Sequence, residues 1–303
     1  MTESAPGLLG FRIAATSSAG LDFRRLDAIW AAAGELEVFS AGWMSDHLSD
    51  ASLERNGVAF ESFTTLAALA HRVPGKWIGI AVVSNTFRHP AVVAKAAVAL
   101  DNVTGGRFIL GLGAGWHEGE HAAYGVPLAP ILERFERYEH AVETIHALFS
   151  DAAGRAPGVT RDDPFYPLDR ATIEPRPLRP GGPALWLGGQ RRRGIALAAN
   201  YADGWIMPGN MPGALEYFAD RRAALLTALE AEGRDPAAFG FAGQLVVAPD
   251  AAGLREAREL ALRFVDAGAT HLTLGVMPDA GVEGLRDIAR EVAEPVRDRT
   301  GRP

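Results

Sequence analysis

Apolar residues along the chain fall into two alternating textures. Short runs rich in β-branched or aromatic residues occur at Phe11–Ala15, Val38–Met44, Trp77–Val83, Arg107–Leu112, Ala184–Leu187, Gly204–Met207, Phe239–Val247 and His271–Val276. Each is brief, mostly apolar on both faces and bounded by Gly, Pro, Asp or Ser, as strands of a parallel sheet are when helices cover both sides. Between them lie stretches with apolar residues at helical spacing. These are Leu21–Gly34, Ser62–Arg72, Pro90–Val103, Leu132–Phe149, Arg191–Tyr201, Pro212–Glu232, Leu254–Ala267 and Val282–Val292. Eight strand signals, each followed by a helix, predict an α/β fold of the (β/α)₈ TIM-barrel type, with residues 1–303 forming one domain. An open, doubly wound sheet has the same alternation and stays open as the rival.

One stretch breaks the rhythm. Residues 151–183 hold seven prolines, at Pro157, Pro164, Pro167, Pro175, Pro177, Pro180 and Pro183, with little helical period. That is too long for an ordinary connection, so it is expected to be an insertion running over one mouth of the barrel.

Charge and cysteine content narrow the chemistry. The 303 residues carry 30 Lys+Arg against 37 Asp+Glu, a net charge of −7, which disfavours a nucleic-acid partner needing a basic face. The absence of cysteine removes thiolate metal sites, iron–sulfur clusters, disulfides and a Cys nucleophile. No apolar run approaches the length of a membrane helix, and Met1–Pro6 has neither the basic stretch nor the apolar core of a secretion signal. A cytoplasmic protein without a membrane partner is the expectation.

In a parallel barrel, reactive residues gather where the strands end. Those ends read Ser17 and Ser18, Ser45-Asp46-His47, Ser84-Asn85-Thr86, Gly111-Leu112-Gly113-Ala114-Gly115-Trp116, Gly188-Gly189-Gln190 and Met207-Pro208. They are small, polar or glycine-rich, as loops that admit a ligand should be. His47 has the chemistry of an acid or base near neutral pH, while Asp46 could equally cap the following turn. The alternate glycines 111, 113 and 115 leave N–H groups exposed for a phosphate or a planar ring, although a ligand-free tight turn would read the same way. Gly188-Gly189-Gln190-Arg191-Arg192-Arg193 puts arginines at a helix start, where the helix dipole normally disfavours them, and this points to an anion. His117-Glu118-Gly119-Glu120-His121 matches the zinc-binding H-E-x-x-H pattern, with Glu139 or Glu143 as a possible third ligand. It begins one residue after a glycine loop, and Gly119 weakens the helix that such a site requires, so a solvated first helical turn is the preferred reading.

Taken in order, Ser45–Leu48, Ile78–Pro90, Leu100–Trp116, Glu120–Arg134, Trp186–Gln190 and Tyr201–Trp205 resemble the bacterial luciferase-like oxidoreductases. The Gly-Ala-Gly-Trp element, with a Glu four residues after Trp116, is most similar to the branch that uses coenzyme F420, a deazaflavin. The resemblance implies a homodimeric (β/α)₈ barrel that binds F420, or FMN in the alternative, and transfers a hydride to or from a small organic substrate. It implies that Asp46 and His47 face the cofactor ring, with His47 carrying the proton chemistry. Ala81, Val82 and Val83 would form a bulge with a non-proline cis peptide at Ala81–Val82, beside Asn85. Gly113, Ala114 and Gly115, together with Gly188, Gly189, Gln190 and Arg191, would hold the ribityl chain and phosphate. Trp43 and Trp116 would line the substrate pocket. Trp116 stands where sugar-phosphate dehydrogenases of that branch carry a Glu, which implies an uncharged or aromatic substrate. An FMN-dependent monooxygenase, a zinc hydrolase using His117 and His121, and a non-catalytic cofactor-binding barrel are the competing readings.

Overall fold

The strand ends all meet at one mouth because the sheet closes. In the computed structural model, which describes residues 9–13, 22–49, 59–207 and 213–301, eight strands pair in parallel around a barrel. They are β1 (Leu9–Ile13), β2 (Ala41–Met44), β3 (Trp77–Ser84), β4 (Phe108–Gly113), β7 (Ala184–Leu187), β8 (Gly204–Ile206), β9 (Gly240–Val246) and β10 (His271–Val276). Closure is made where β1 pairs with β10, from Leu9 opposite Leu272 to Ile13 opposite Val276. The open-sheet alternative is thereby excluded. Residues 17, 18 and 208, expected at strand ends, lie outside the described residues.

Around the barrel run α1 (Phe23–Glu35), α2 (Ser62–Leu69), α3 (Pro90–Val103), α4 (Glu118–Tyr124), α5 (Ile131–Phe149), α6 (Arg192–Tyr201), α7 (Ala214–Ala231), α8 (Ala251–Asp266), α9 (Gly281–Ile288) and α10 (Glu294–Thr300). Local chemistry explains where several of them begin. The carboxylates of Asp22, Glu61 and Asp250 accept first-turn N–H groups, and His89 caps α3 ahead of Pro90, whose missing N–H is no loss at that position. The short α4 begins at the helical turn expected over residues 117–121, but its Glu120 and His121 are buried and not solvated, a correction to that expectation. None of the described helices is long and apolar enough to cross a membrane.

Two layers of apolar packing result. The larger lies between strands and helices, and the smaller fills the barrel itself around Trp43, Trp186, Ile109 and Ile206. The two indoles lie 5.7 Å apart and occupy space that glycines leave open. A Cβ on Gly79 of β3 would lie 2.5 Å from the Trp43 ring, and one on Gly204 of β8 would lie 2.6 Å from Trp186. Large rings opposite absent side chains are how a narrow barrel reaches core density. Trp43 is only 2% exposed. It is therefore barrel core and not the wall of a substrate pocket, a correction to the sequence expectation.

The insertion has structure of its own. Strands β5 (Val159–Arg161) and β6 (Leu168–Ala171) form an antiparallel hairpin outside the barrel. Asp163 organises its turn by accepting from the Phe165 and Tyr166 N–H groups, and it is also bonded to Arg161 and His140. The exit segment is pinned to α3, where Asp101 accepts the Leu178 N–H and Asn102 donates to the Arg176 carbonyl.

Candidate active site

The mouth is built on the irregular end of β3. Register with β4 runs regularly to Ile80 opposite Leu110 and resumes at Val83 opposite Leu112, so Ala81 and Val82 together face Gly111. The Ala81–Val82 peptide is cis, as the resemblance implies. Across this bulge the three side chains take different directions. Ala81 joins the barrel interior, and Val83 is fully buried in the strand–helix layer. Half-buried Val82 lies between the neighbouring strand ends. A Cβ on Gly113 would meet Val82 Cγ2 at 2.7 Å, and one on Gly188 would meet it at 3.5 Å. Val82, Gly113 and Gly188 thus form one smooth floor. Val83 does not face it with its side chain, because strand alternation turns that residue to the helices.

Asp46 does not face the mouth as a free carboxylate. It is 4% exposed, and both oxygens are taken up by protein donors. Oδ1 accepts from the Ser62 hydroxyl at 2.7 Å and from Arg88 at 3.0 Å, and Oδ2 accepts from the Ser84 N–H at 2.9 Å and from Arg88 at 2.8 Å. Arg88 is shared with Glu61. A bidentate guanidinium with two further donors saturates a carboxylate. Asp46 is therefore a clamp joining the ends of β2 and β3 to α2, and its expected role at the cofactor ring is corrected to one of positioning.

His47, the next residue, points elsewhere. Its Nδ1 is 3.1 Å from Glu120 Oε2, and the imidazole retains 18% exposure whereas the carboxylate has 1%. Glu120 Oε1 accepts the N–H groups of Leu48 and of Ser49, the latter at 2.9 Å. One buried carboxylate from α4 thus fixes three consecutive residues after β2. Burial pushes the Glu120 pKa up, but the His47 bond, the Ser49 and Leu48 amides and the charge of His47 outweigh it, and the net shift is downward. An ionised acceptor fixes the proton on Nδ1 and leaves Nε2 as the nitrogen available for exchange. Sequence reasoning noticed Glu120 only as part of a spacing pattern. Its pairing with a residue 73 positions earlier is a tertiary fact.

This downward shift has a consequence for acid stability. The unfolded chain takes up the proton before the folded one, so the stabilisation from Glu120 is complete at neutral pH. It drains away as pH falls below the ordinary glutamate range. Urea unfolding midpoints should fall on acidification in the wild type, and Glu120→Gln should flatten that part of the profile. A profile of equal slope in both proteins would rule out this contribution.

Both histidines of the H-E-x-x-H pattern spend ring nitrogens on hydrogen bonds within the fold. His117 caps α4 by accepting the Glu120 N–H at 3.0 Å. His121 bonds the His117 carbonyl through Nδ1 and Thr86 through Nε2. Glu143, weighed as a third zinc ligand, belongs to a separate group with His140 and Asp163 whose ligand atoms lie within 4.8 Å of one another. There the Arg161 guanidinium bridges Glu143 and Asp163 and takes the place a cation would fill.

The rim is completed by Trp116, 65% exposed, with its ring centroid 6.2 Å from that of His47 in an edge-to-face arrangement. The Tyr124 hydroxyl donates to the Leu48 carbonyl. From the insertion, the Tyr166 hydroxyl accepts from Asn85 at 3.4 Å, so the hairpin reaches the mouth. Opposite, Gln190 donates to the Gly188 carbonyl, while its buried Oε1 has no hydrogen-bond partner. Exposed Arg191 is the N-cap of α6, which begins without a side-chain cap. Arg193 is held by Glu139 and stacks over Phe135, which leaves Arg191 and Arg192 nearest the helix start. A glycine-flanked floor, an orphan amide oxygen and an uncapped helix start with adjacent cations fit a planar ring bearing a phosphorylated chain.

Comparison with known proteins agrees with this architecture. The profile of the luciferase-like monooxygenase family matches residues 8–299. A phthiodiolone/phenolphthiodiolone dimycocerosates ketoreductase from Mycobacterium sp. (strain JLS) is 32% identical over 257 residues, 79% of this chain and 64% of that protein, so the chain spans less than two thirds of that relative. An FMNH(2)-dependent dimethylsulfone monooxygenase from Pseudomonas fluorescens is 27% identical over 215 residues, 67% of this chain and 52% of that one. In structure, an F420-dependent secondary alcohol dehydrogenase solved with an F420-acetone adduct superposes with a TM-score of 0.77 at 19% identity, covering 97% of this chain and all of the other. At that identity the likeness concerns the fold. With the family profile matching nearly end to end, the chain belongs to the luciferase-like monooxygenases, a family of oxidoreductases and monooxygenases.

Proposed function

We propose that this protein is a coenzyme F420-dependent oxidoreductase that interconverts a ketone and a secondary alcohol on a substrate with an apolar or aromatic body. The observation that carries the reading is the His47–Glu120 pair at the barrel mouth. Carbonyl reduction needs a proton delivered to oxygen as the hydride arrives at carbon, and the reverse reaction needs that proton removed. When bound, F420 supplies the hydride acceptor or donor. His47 gives or takes the proton at Nε2. Glu120 keeps Nδ1 protonated and the ring oriented, and stabilises the imidazolium when it forms. Val82, Gly113 and Gly188 offer the floor for the ring, with Ala114 and Gly115 beside it. Gly189, Gln190 and Arg191 would hold the phosphate at the start of α6. Trp116 offers an aromatic edge where an apolar substrate would rest. The ketoreductase relative supports the carbonyl class. The reading includes a cytoplasmic homodimer without nucleic-acid or membrane partners.

Titration of the purified apoprotein with F420 and with FMN, followed by tryptophan fluorescence, tests the cofactor. Exposed Trp116 is the reporter near the mouth, while Trp43 and Trp186 are buried in the barrel. The expected result is tight binding of F420 with much weaker FMN binding, and ketone-dependent oxidation of reduced F420. Preference for FMN would move the reading to a flavin monooxygenase. Binding without turnover of any ketone or alcohol would leave a non-catalytic barrel.

A further inference from the structure

The half of the H-E-x-x-H pattern that the proposed reaction does not use sits under the glycine loop. His121 is 2% exposed and covered by Phe87, whose ring centroid lies 4.9 Å away. Its Nδ1 is 2.7 Å from the His117 carbonyl oxygen. A carbonyl can only accept, so Nδ1 carries the hydrogen. In the neutral ring Nε2 is then bare and must accept from the Thr86 hydroxyl at 2.6 Å. Thr86, with its single hydrogen spent, accepts from the Ser84 hydroxyl at 2.7 Å. The chain of bonds therefore has one direction, from Ser84 through Thr86 and His121 to the backbone of α4. Ser84 is left with lone pairs only.

These two hydroxyls lie directly against Gly115, whose φ is +82°. A Cβ there would sit 2.7 Å from Thr86 Oγ1 and 2.8 Å from Ser84 Oγ. Ser84 is also the residue whose N–H the Asp46 clamp holds, and the next residue, Asn85, donates its N–H to the Gly113 carbonyl. One hydroxyl thus stands where the ends of β2, β3 and β4 meet.

We propose that His121 is a positioning residue. Through Thr86 it sets the polarity of the Ser84 hydroxyl, seats the Gly113–Trp116 loop, and makes the site selective for a ligand that offers an O–H or N–H donor there. The last clause rests on the proposed cofactor-binding mouth, whereas the bond polarity does not.

Two measurements separate these levels. Nitrogen-15 imidazole spectra of the ligand-free protein should show His121 as the Nδ1–H tautomer, the less common form of free histidine. An Nε2–H tautomer would overturn the proposal whatever the cofactor. Thr86→Val keeps the shape but removes the link: His121 should stay the Nδ1–H tautomer that the His117 carbonyl holds, its Nε2 resonance should shift on losing the Thr86 bond, and the F420 Kd should rise by about tenfold, the value of one hydrogen bond in a ligand site. Thr86→Ser should restore both. Unchanged affinity in Thr86→Val alongside the shifted Nε2 resonance would overturn the positioning role. If the wild type binds no F420, the cofactor reading fails while the tautomer result still decides the polarity.

Discussion

His47→Ala is expected to lower ketone-dependent turnover of reduced F420 by about a thousandfold, and Glu120→Gln by about a hundredfold, the usual span for loss of a general acid and of its orienting partner. The two effects should not multiply. Glu120 is 1% exposed, and its carboxylate is spent on His47, Leu48 and Ser49, so it acts through the imidazole and not on a substrate. With the imidazole gone, the charge at position 120 has nothing left to orient. The double variant should therefore be no slower than His47→Ala, and the shortfall from additivity measures the coupling. Steady-state rates with saturating cofactor check this. Losses that multiply would show Glu120 acting independently, and full turnover in His47→Ala would remove the proton-transfer assignment.

Asp46→Ala should act mainly on stability, by about 3–5 kcal/mol, the range for breaking one side of a buried ion pair. The substitution strips Arg88 of its bidentate partner and leaves the Ser62 hydroxyl and Ser84 N–H without an acceptor. Glu61 remains on Arg88, but its side chain is 41% exposed and makes a much weaker pair. Glu61→Gln should accordingly lose no more than about 1 kcal/mol. Urea unfolding of the two variants gives the comparison. An Asp46→Ala protein as stable as wild type yet inactive would return Asp46 to the chemistry.

Much of this was legible in the linear sequence for a local reason. Strands buried on both faces and helices buried on one leave different periods, and the predicted segments at Ala184–Leu187, His271–Val276 and Pro90–Val103 coincide with the observed elements. Glycines at the ends of β4 and β7 marked the mouth, since side chains are missing only where something approaches closely. The hairpin β5–β6 was hidden because its strands are three and four residues long, half exposed, and set between prolines. Of α4 only the first turn was legible, because Gly119 weakens the helical signal and its cap is a histidine, which sequence rules rank poorly.

What the sequence determined by itself was the alternation, the strand ends and the small or polar residues upon them, because each depends on neighbours a few positions away. What only the tertiary structure decided was which of those residues meet. Closure of the sheet brought β1 to β10, put Trp43 inside the barrel and joined Asp46 to Arg88. It also gave His47 a carboxylate from α4 in place of the adjacent aspartate. Ionic and hydrogen-bond partners are chosen by proximity in space, at separations of tens of residues that no local pattern records.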